Sequence, residues 1–336
     1  MNRILGVVLT VCLLSVNGFA YGPRGHQLVG AIADRRLKEN QAVANKVRDL
    51  LDGMTLERAA TLPDEIKSRH CGDAPTGTRI NRELQSFVNA NCGDHTSHNN
   101  FHFTDVPVFG DEKYGDGEVG REDFDIVHMI PFCIRVLKGE EPETNEHAIT
   151  KSIAVILLTH YLGDIHQPLH VGAEYFNSSR QPFEPTATDK GFADQGGNKL
   201  TLFVFVKRRL VSTGKFHSYW DGQAVDNAFK NSPNSAVAKR LAAQEPDNWQ
   251  LSGGIETWAE QLANEIMPLA REAHDRLEFK NIVLKTGEHD ITKGEAREKK
   301  PEPGGTFYNV WARGVVRDEI HKGGWRLAAL LEQALQ

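Results

Sequence analysis

One helical domain with a small β element is the fold class this sequence predicts, and two patterns carry the prediction. Apolar residues recur at helical spacing in HQLVGAIADRRL, VANKVRDLL, FDIVHMIPFCIRVL, SIAVILLTHYLGD, IETWAEQLANEIMPLAREAHDRL and GGWRLAALLEQAL. One stretch reads as a strand instead: LTLFVFV at 200–206, following the turn DQGGN at 194–198. No internal repeat and no Gly/Ser linker marks a boundary, so residues 21–336 read as one all-α domain. Long polar loops are expected at about 71–100, 107–120, 172–197 and 285–306, lengths typical of the rim of a site. Within the last of these, the charged run EAREKKPEP at 295–303 reads as a solvated loop.

The chain has 336 residues, 40% of them hydrophobic, which is enough for one large core. Its first twenty residues, MNRILGVVLTVCLLSVNGFA, have a basic start at Arg3, an apolar run from Ile4 to Val16, and the small residues Gly18 and Ala20. That is the pattern of a secretory signal, with an apolar run too short for a membrane span. The mature protein is expected to begin at Tyr21, to be secreted or periplasmic, and to act as a monomer without stable membrane association. Export favours disulfides. Cys71 and Cys92 bracket a polar loop that a bridge would staple, while Cys133, inside an apolar run, reads as a buried free thiol. Asn177 in NSS is an acceptor for N-glycosylation only in a eukaryotic secretory route. The formal net charge of −6, from 39 basic and 45 acidic residues, argues against holding nucleic acid on a basic surface. A positive field at a site must then come from bound cations.

The segment HYLGDIHQPLH at 160–170 sets three histidines and an aspartate at the end of a helix apolar enough for the core. Buried imidazoles and carboxylates are costly without partners. His160 and Asp164, four apart, share one face, and Pro168 ends the helix so that His170 can swing beside them. A second pair at the same spacing is His217 and Asp221 in KFHSYWDGQAV. A single such pair is more often a hydrogen-bonded core or surface pair than a metal site. Three more fragments change that: YGPRGHQLVG with His26, LPDEIK with Asp64 and NNFHFTDVP with His102. The set of His and Asp groups suits zinc or another borderline divalent metal. His166, six residues from His160, falls on another side of the helix and reads as a supporting histidine. The remaining histidines, His274 and His289 among them, read as surface or core residues. There is no GxSxG elbow, P-loop or HExxH.

The order and spacing HxxxDxxxxxH followed by HxxxD, with YGPRGH, PDEIK, FHFTD and DQGGN around them, resembles the secreted zinc-dependent single-strand nucleases and 3′-nucleotidases of the nuclease S-one/P-one type, within the phospholipase C-like fold. The resemblance covers nearly the whole mature chain. It implies three zinc ions: Asp64, His102, His160 and Asp164 on the first, His170, His217 and Asp221 on the second. The third would be held by His26, Asp164 and the amino nitrogen and carbonyl oxygen of Tyr21. Fungal members carry tryptophan where Tyr21 stands. They carry arginine where this chain has Lys67, a point charge without the bidentate fork.

The implied reaction is hydrolysis of single-stranded DNA or RNA to 5′-nucleotides, with 3′-nucleotidase activity beside it. Lys67 would stabilise the transition state, with Asp105 orienting Lys67 or the water; Asp105 reads equally as a turn residue before Val106 and Pro107. Asn198 would approach the substrate or cap its turn, and Phe103, Tyr175 or Phe176 would stack on a base or pack in the core. Two other readings compete. A zinc phospholipase C shares the bridging-aspartate spacing but usually closes its second site with HxxxE, where this chain has Asp221. A non-catalytic secreted zinc-binding protein would instead hold closed four-ligand cages.

Overall fold

A helix buried on every side organises the molecule. In the computed structural model, which describes residues 21–93, 97–230 and 232–336, the helix Lys151–Asp164 is buried at each position from Ser152 onward. The expected signal segment, 1–20, lies outside the described residues. The Thr150 hydroxyl starts this helix by accepting from the Ile153 N–H, satisfying one of the donors that every helix start leaves open.

In chain order the helices are α1 (Pro23–Arg36), α2 (Gln41–Leu50), α3 (Leu56–Ala59), α4 (Leu62–Glu65), α5 (Arg79–Ala90), α6 (Ile126–Lys138) and α7 (Lys151–Asp164). After them come α8 (Phe216–Ser218), a π-helical turn at Tyr219–Gln223, α9 (Ala224–Phe229), α10 (Asn234–Ala242), α11 (Trp258–Asp275) and α12 (Tyr308–Ala334). The strands are β1 (Val106–Pro107), β2 (Gly172–Ala173), β3 (Tyr175–Phe176), β4 (Phe192–Ala193), β5 (Leu200–Val206), β6 (Arg209–Lys215), β7 (Leu277–Leu284) and β8 (Ile291–Glu298). Helices α1, α6 and α12 pack around α7, and one main core joins their apolar faces. Pro23 opens α1 at a position whose N–H needs no helical partner, and Gly139, at φ 76°, closes α6 in the left-handed region.

The helices read from apolar spacing are present, but the chain holds more regular structure than its pattern predicts. Helix α5 lies inside the expected loop at 71–100; its Ile80, Leu84, Phe87 and Val88 are buried at helical spacing, a short stripe hidden among polar residues. The β element is a four-stranded sheet of order β6-β5-β8-β7, with β5 and β8 parallel, and β1-β2 and β3-β4 form two-stranded pieces. Strand β8 corrects the reading of EAREKKPEP as a solvated loop. Ala296 and Glu298 face inward there, and the buried Glu298 carboxylate accepts from the backbone N–H groups of Phe205 at 2.6 Å and Tyr308 at 2.7 Å. A carboxylate used as a backbone cap leaves no hydrophobic signature.

A disulfide joins Cys71 to Cys92 across a Cα separation of 5.8 Å, and Cys133 is a buried free thiol. No helix among the described residues is long and apolar enough to cross a membrane. Because α7 is the packing hub, truncating it away from the site should be costly. Ile156→Ala, at a position with no solvent exposure, is expected to lower unfolding free energy by about 2–5 kcal/mol; urea denaturation measures it.

Candidate metal centre

The C-terminal end of α7 carries His160 and Asp164 into the core, and four further segments converge on them. Helix α1 brings His26, α4 brings Asp64, the loop before β1 brings His102, and the turn after α7 brings His170. His217 and Asp221 come from α8 and the π-helical turn. Three groups of these side chains set their ligand atoms within 4.8 Å of one another: His26, Asp64 and His160; His102, His160 and Asp164; His170, His217 and Asp221. The last is the set expected for the second ion. Asp64, expected beside His102, His160 and Asp164, groups instead with His26 and His160, its Oδ1 3.7 Å from His160 Nε2.

Asp164 is the hub, fully buried. Its Oδ1 lies 3.2 Å from His26 Nε2 and 3.7 Å from His170 Nδ1; its Oδ2 lies 2.9 Å from His102 Nδ1 and 3.1 Å from His160 Nε2. His160 Nε2 and His102 Nδ1 are 3.0 Å apart. Three ligand atoms at such separations suit one ion, since tetrahedral bonds of about 2 Å put ligands about 3.3 Å apart.

Backbone carbonyls orient the rings. His160 Nδ1 donates to the Ala60 carbonyl at 2.7 Å, His170 Nδ1 to that of His102 at 2.8 Å, and His217 Nδ1 to that of Gly196 at 2.7 Å. Each bond fixes a tautomer and leaves Nε2 as a lone-pair donor to a metal. Gln167 does the same for Asp221: its amide donates to Oδ1 at 3.0 Å and leaves Oδ2 free. Two glycines make the approach possible. A Cβ on Gly196, at φ +54°, would meet the Leu169 carbonyl oxygen at 2.2 Å, and one on Gly163 would meet His26 Nδ1 at 2.6 Å.

The fit to a cation rests on what lacks a partner. His26 Nδ1 and Nε2, Asp64 Oδ2, Asp164 Oδ1, His170 Nε2 and Asp221 Oδ2 are buried and make no hydrogen bond among the described residues. Orphaned donors and acceptors at such density are expensive in a folded core, and divalent ions would satisfy them. Burial pushes the His102 and His217 imidazoles down to about 3 and lowers His26 and His170, keeping them neutral as ligands must be. Burial opposes ionisation of Asp64, but His160 and Lys67 outweigh it and hold this carboxyl down at about 2. Asp221, by contrast, is driven well up by burial. It is the ligand that most needs a cation to ionise.

Tyr21 is fully buried; its phenol donates to the His166 carbonyl at 3.0 Å, and the Gly22 N–H donates to the Asp221 carbonyl at 2.6 Å. The first mature residue expected from the sequence thus adjoins the centre. His166 stands apart from the three groups: its Nδ1 donates to the Leu162 carbonyl at 2.6 Å, and its Nε2 accepts from buried Arg326 at 2.9 Å.

Beside the clusters opens a cleft of about 660 Å³ that includes Lys67, His102, His170 and His217, together with Phe103, Asp105, Asn198 and Tyr175. Lys67 Nζ lies 2.7 Å from Asp64 Oδ1 and makes no bond to Asp105. Burial, then Asp194 and Asp290, push the Asp105 carboxyl up to about 8. Asn198 both lines the cleft and caps its turn, Nδ2 donating to the Gln195 carbonyl at 3.0 Å. Half-buried Phe103 keeps part of its face toward the cleft. Tyr175 is buried, its hydroxyl donating to the Asp105 carbonyl at 2.9 Å. Phe176 is fully buried against Phe279 and offers no face for stacking. Glu122, Lys190, His289 and Asp290 also line the cleft, and the buried pair His274–Asp194 stands at 3.4 Å behind it. Sequence reasoning missed these residues, since they come from four distant segments and share no spacing.

The sequence pattern of the family described as S1/P1 Nuclease matches residues 21–336. Three relatives from Arabidopsis thaliana align over nearly their full length. Endonuclease 3 is 26% identical, covering 98% of this chain and 95% of the relative. Endonuclease 4 is 24% identical over 97% and 93%, and Endonuclease 2 is 23% identical over 98% and 97%. With a match that starts at Tyr21 and ends at the last residue, and a core whose His and Asp groups meet as described, the chain belongs to the S1/P1 nuclease family.

Proposed function

We propose that the mature chain is an exported, monomeric zinc phosphodiesterase that hydrolyses single-stranded DNA and RNA to 5′-nucleotides and also acts as a 3′-nucleotidase. The observation that carries this reading is Asp164, buried among four imidazoles with unpartnered ligand atoms on His26, His170 and Asp164 itself, beside a cleft that holds Lys67. The relatives' name, endonuclease, supports cleavage within a strand. Asp64, His102, His160 and Asp164 hold one ion, His170, His217 and Asp221 another. His26, Asp164 and the terminal nitrogen and oxygen of Tyr21 hold the third. Zinc in these places supplies an activated water near neutral pH and neutralises phosphoryl oxygens.

The chain's own groups do the rest. Lys67, poised on Asp64, stabilises the charge gathering on the phosphoryl oxygens. Phe103 stacks on a base, which any unpaired nucleotide offers. Asn198, its amide nitrogen spent on the Gln195 carbonyl, turns an acceptor oxygen to the substrate. Asp105 acts on substrate or water directly, since it has no bond through which to orient Lys67. A carboxyl that keeps its proton to about pH 8 enters this role as a hydrogen-bond donor.

Metal analysis of the mature protein, with assays on single-stranded DNA, RNA, 3′-AMP and phosphatidylcholine, tests the proposal; turnover of the lipid alone would replace it. Chelation should abolish phosphodiesterase activity and lower Tm together, because ligands from distant segments couple metal binding to folding. Full activity in zinc-free protein contradicts this. Asp164→Asn should lose more metal than Asp221→Asn on folded protein, since Asp164 serves two ions and Asp221 one. Equal metal content in the two variants counts against the bridge. Lys67→Ala should lower kcat by about 10²–10³, the scale of a lost oxyanion donor, with metal content unchanged. Wild-type turnover would remove Lys67 from the reaction.

A further inference from the structure

A whole-chain charge of −6 conceals a local excess of cations. Arg313 and Arg317 stand four residues apart on α12, hence on one face, and His321 continues the row. Lys230, just after α9, and Arg240, near the end of α10, complete a concave surface of about 570 Å³ with them. Asp318 is the one carboxylate lining it. Among the described residues, Lys230, Arg240, Arg313 and Arg317 have no ion-pair partner, whereas neighbouring Arg24 is paired with Asp226 at 2.8 Å. Arg317 donates to the Ala228 carbonyl at 3.3 Å, which leaves its charge uncompensated. Like charges four apart on a helix repel, so the row is not there for the helix's benefit.

We propose that this surface is a second contact for single-stranded nucleic acid, gripping the phosphates of a strand whose scissile bond lies in the metal cleft. The proposal rests on the nucleic-acid reading above. Guanidinium groups pair bidentately with phosphate. No exposed Phe, Tyr or Trp lines the surface, so bases find nothing to stack on and the contact is to backbone, independent of sequence. From His217 to Lys230 the chain is helical, and at about 1.5 Å per residue the surface stands roughly 20 Å from the cleft. A mononucleotide at the metals cannot reach it; an oligomer can. The cleft wall carries Glu122 and Asp290, which repel a polyanion, so attraction from elsewhere helps hold the strand.

The test compares wild-type holoenzyme with Arg240→Gln/Arg313→Gln/Arg317→Gln and with the triple Arg→Lys variant. KM and kcat are measured on an oligothymidylate of about twenty residues and on a 3′-mononucleotide, from about 50 to 200 mM salt. Anisotropy of a phosphorothioate-linked oligothymidylate and binding to phosphatidylserine vesicles are measured on the same proteins. In the Gln variant, KM for the oligomer should rise about tenfold at low salt, and the log–log salt slope for binding should become shallower by about 2, at about 0.7 per lost phosphate contact. Its kcat and mononucleotide kinetics should not change, and the Lys variant should keep the wild-type slope. An unchanged slope, equal loss on the mononucleotide, or vesicle binding lost while oligomer binding persists overturns the proposal. If wild-type protein hydrolyses no phosphodiester, the nuclease reading fails and the anisotropy series still decides the basic surface.

Discussion

A carboxylate with no access to solvent, set in a helix buried along nearly its whole length, is the constraint on which the structure turns. Asp164 needs a counter-charge, yet the burial that surrounds it with imidazoles also holds His26, His102 and His170 neutral. Burial opposes protonation of His160, but Asp164 and Asp64 draw it upward, and Lys67 pairs with Asp64 on the cleft side. Asp221, driven well up by burial, is the carboxyl left short of positive charge. Divalent ions resolve both halves of the problem, supplying charge to the carboxylates and a Lewis acid to neutral nitrogens.

That constraint was legible because it has a spacing. His160 with Asp164, and His217 with Asp221, repeat a four-residue interval that puts both side chains on one helical face, and a polar pair in an apolar helix asks for a partner. His26, Asp64 and His102 were placed by motif and order, since no local periodicity ties residues so far apart. What stayed hidden has one physical character: it works through the backbone or through distant contacts. The carbonyls of Ala60, His102 and Gly196 that fix the rings carry no side-chain signature. Gln167 is visible only once Asp221 stands opposite it. The β7–β8 hairpin escaped because its inward positions include Gly294 and Glu298 where a strand pattern would show apolar residues. Helix α5 was within reach, since its four apolar residues follow helical spacing, but polar neighbours diluted the signal.

Net charge is a blunt guide for a related reason. It sums over the whole surface, whereas an approaching phosphate meets a local field within a Debye length of about 10 Å at 0.1 M salt. The fold distributes its charges unevenly: Glu122 and Asp290 line the cleft beside Lys67 and Lys190, and Lys230, Arg240, Arg313 and Arg317 line another face. Such sorting depends on which helices pack side by side, because Lys230, Arg240 and the α12 arginines meet only where α9, α10 and α12 touch.

The rigid support of the ligands bears on what a substrate can change. Three histidines are pinned through Nδ1 to the backbone, Asp221 is pinned through Gln167, and the Gly196 turn that carries one of those carbonyls also leads to Asn198. The backbone support of His217 and one cleft wall thus share a single stretch of chain, DQGGN. Lys67 differs: its side chain is 23% exposed and tied only to Asp64, so it can move to a phosphoryl oxygen without disturbing the backbone that holds the rings. On the proposed reading, the centre stays still while Lys67 follows the reacting group. A preorganised site requires this division, since it contributes most where the fixed groups need no rearrangement during the reaction.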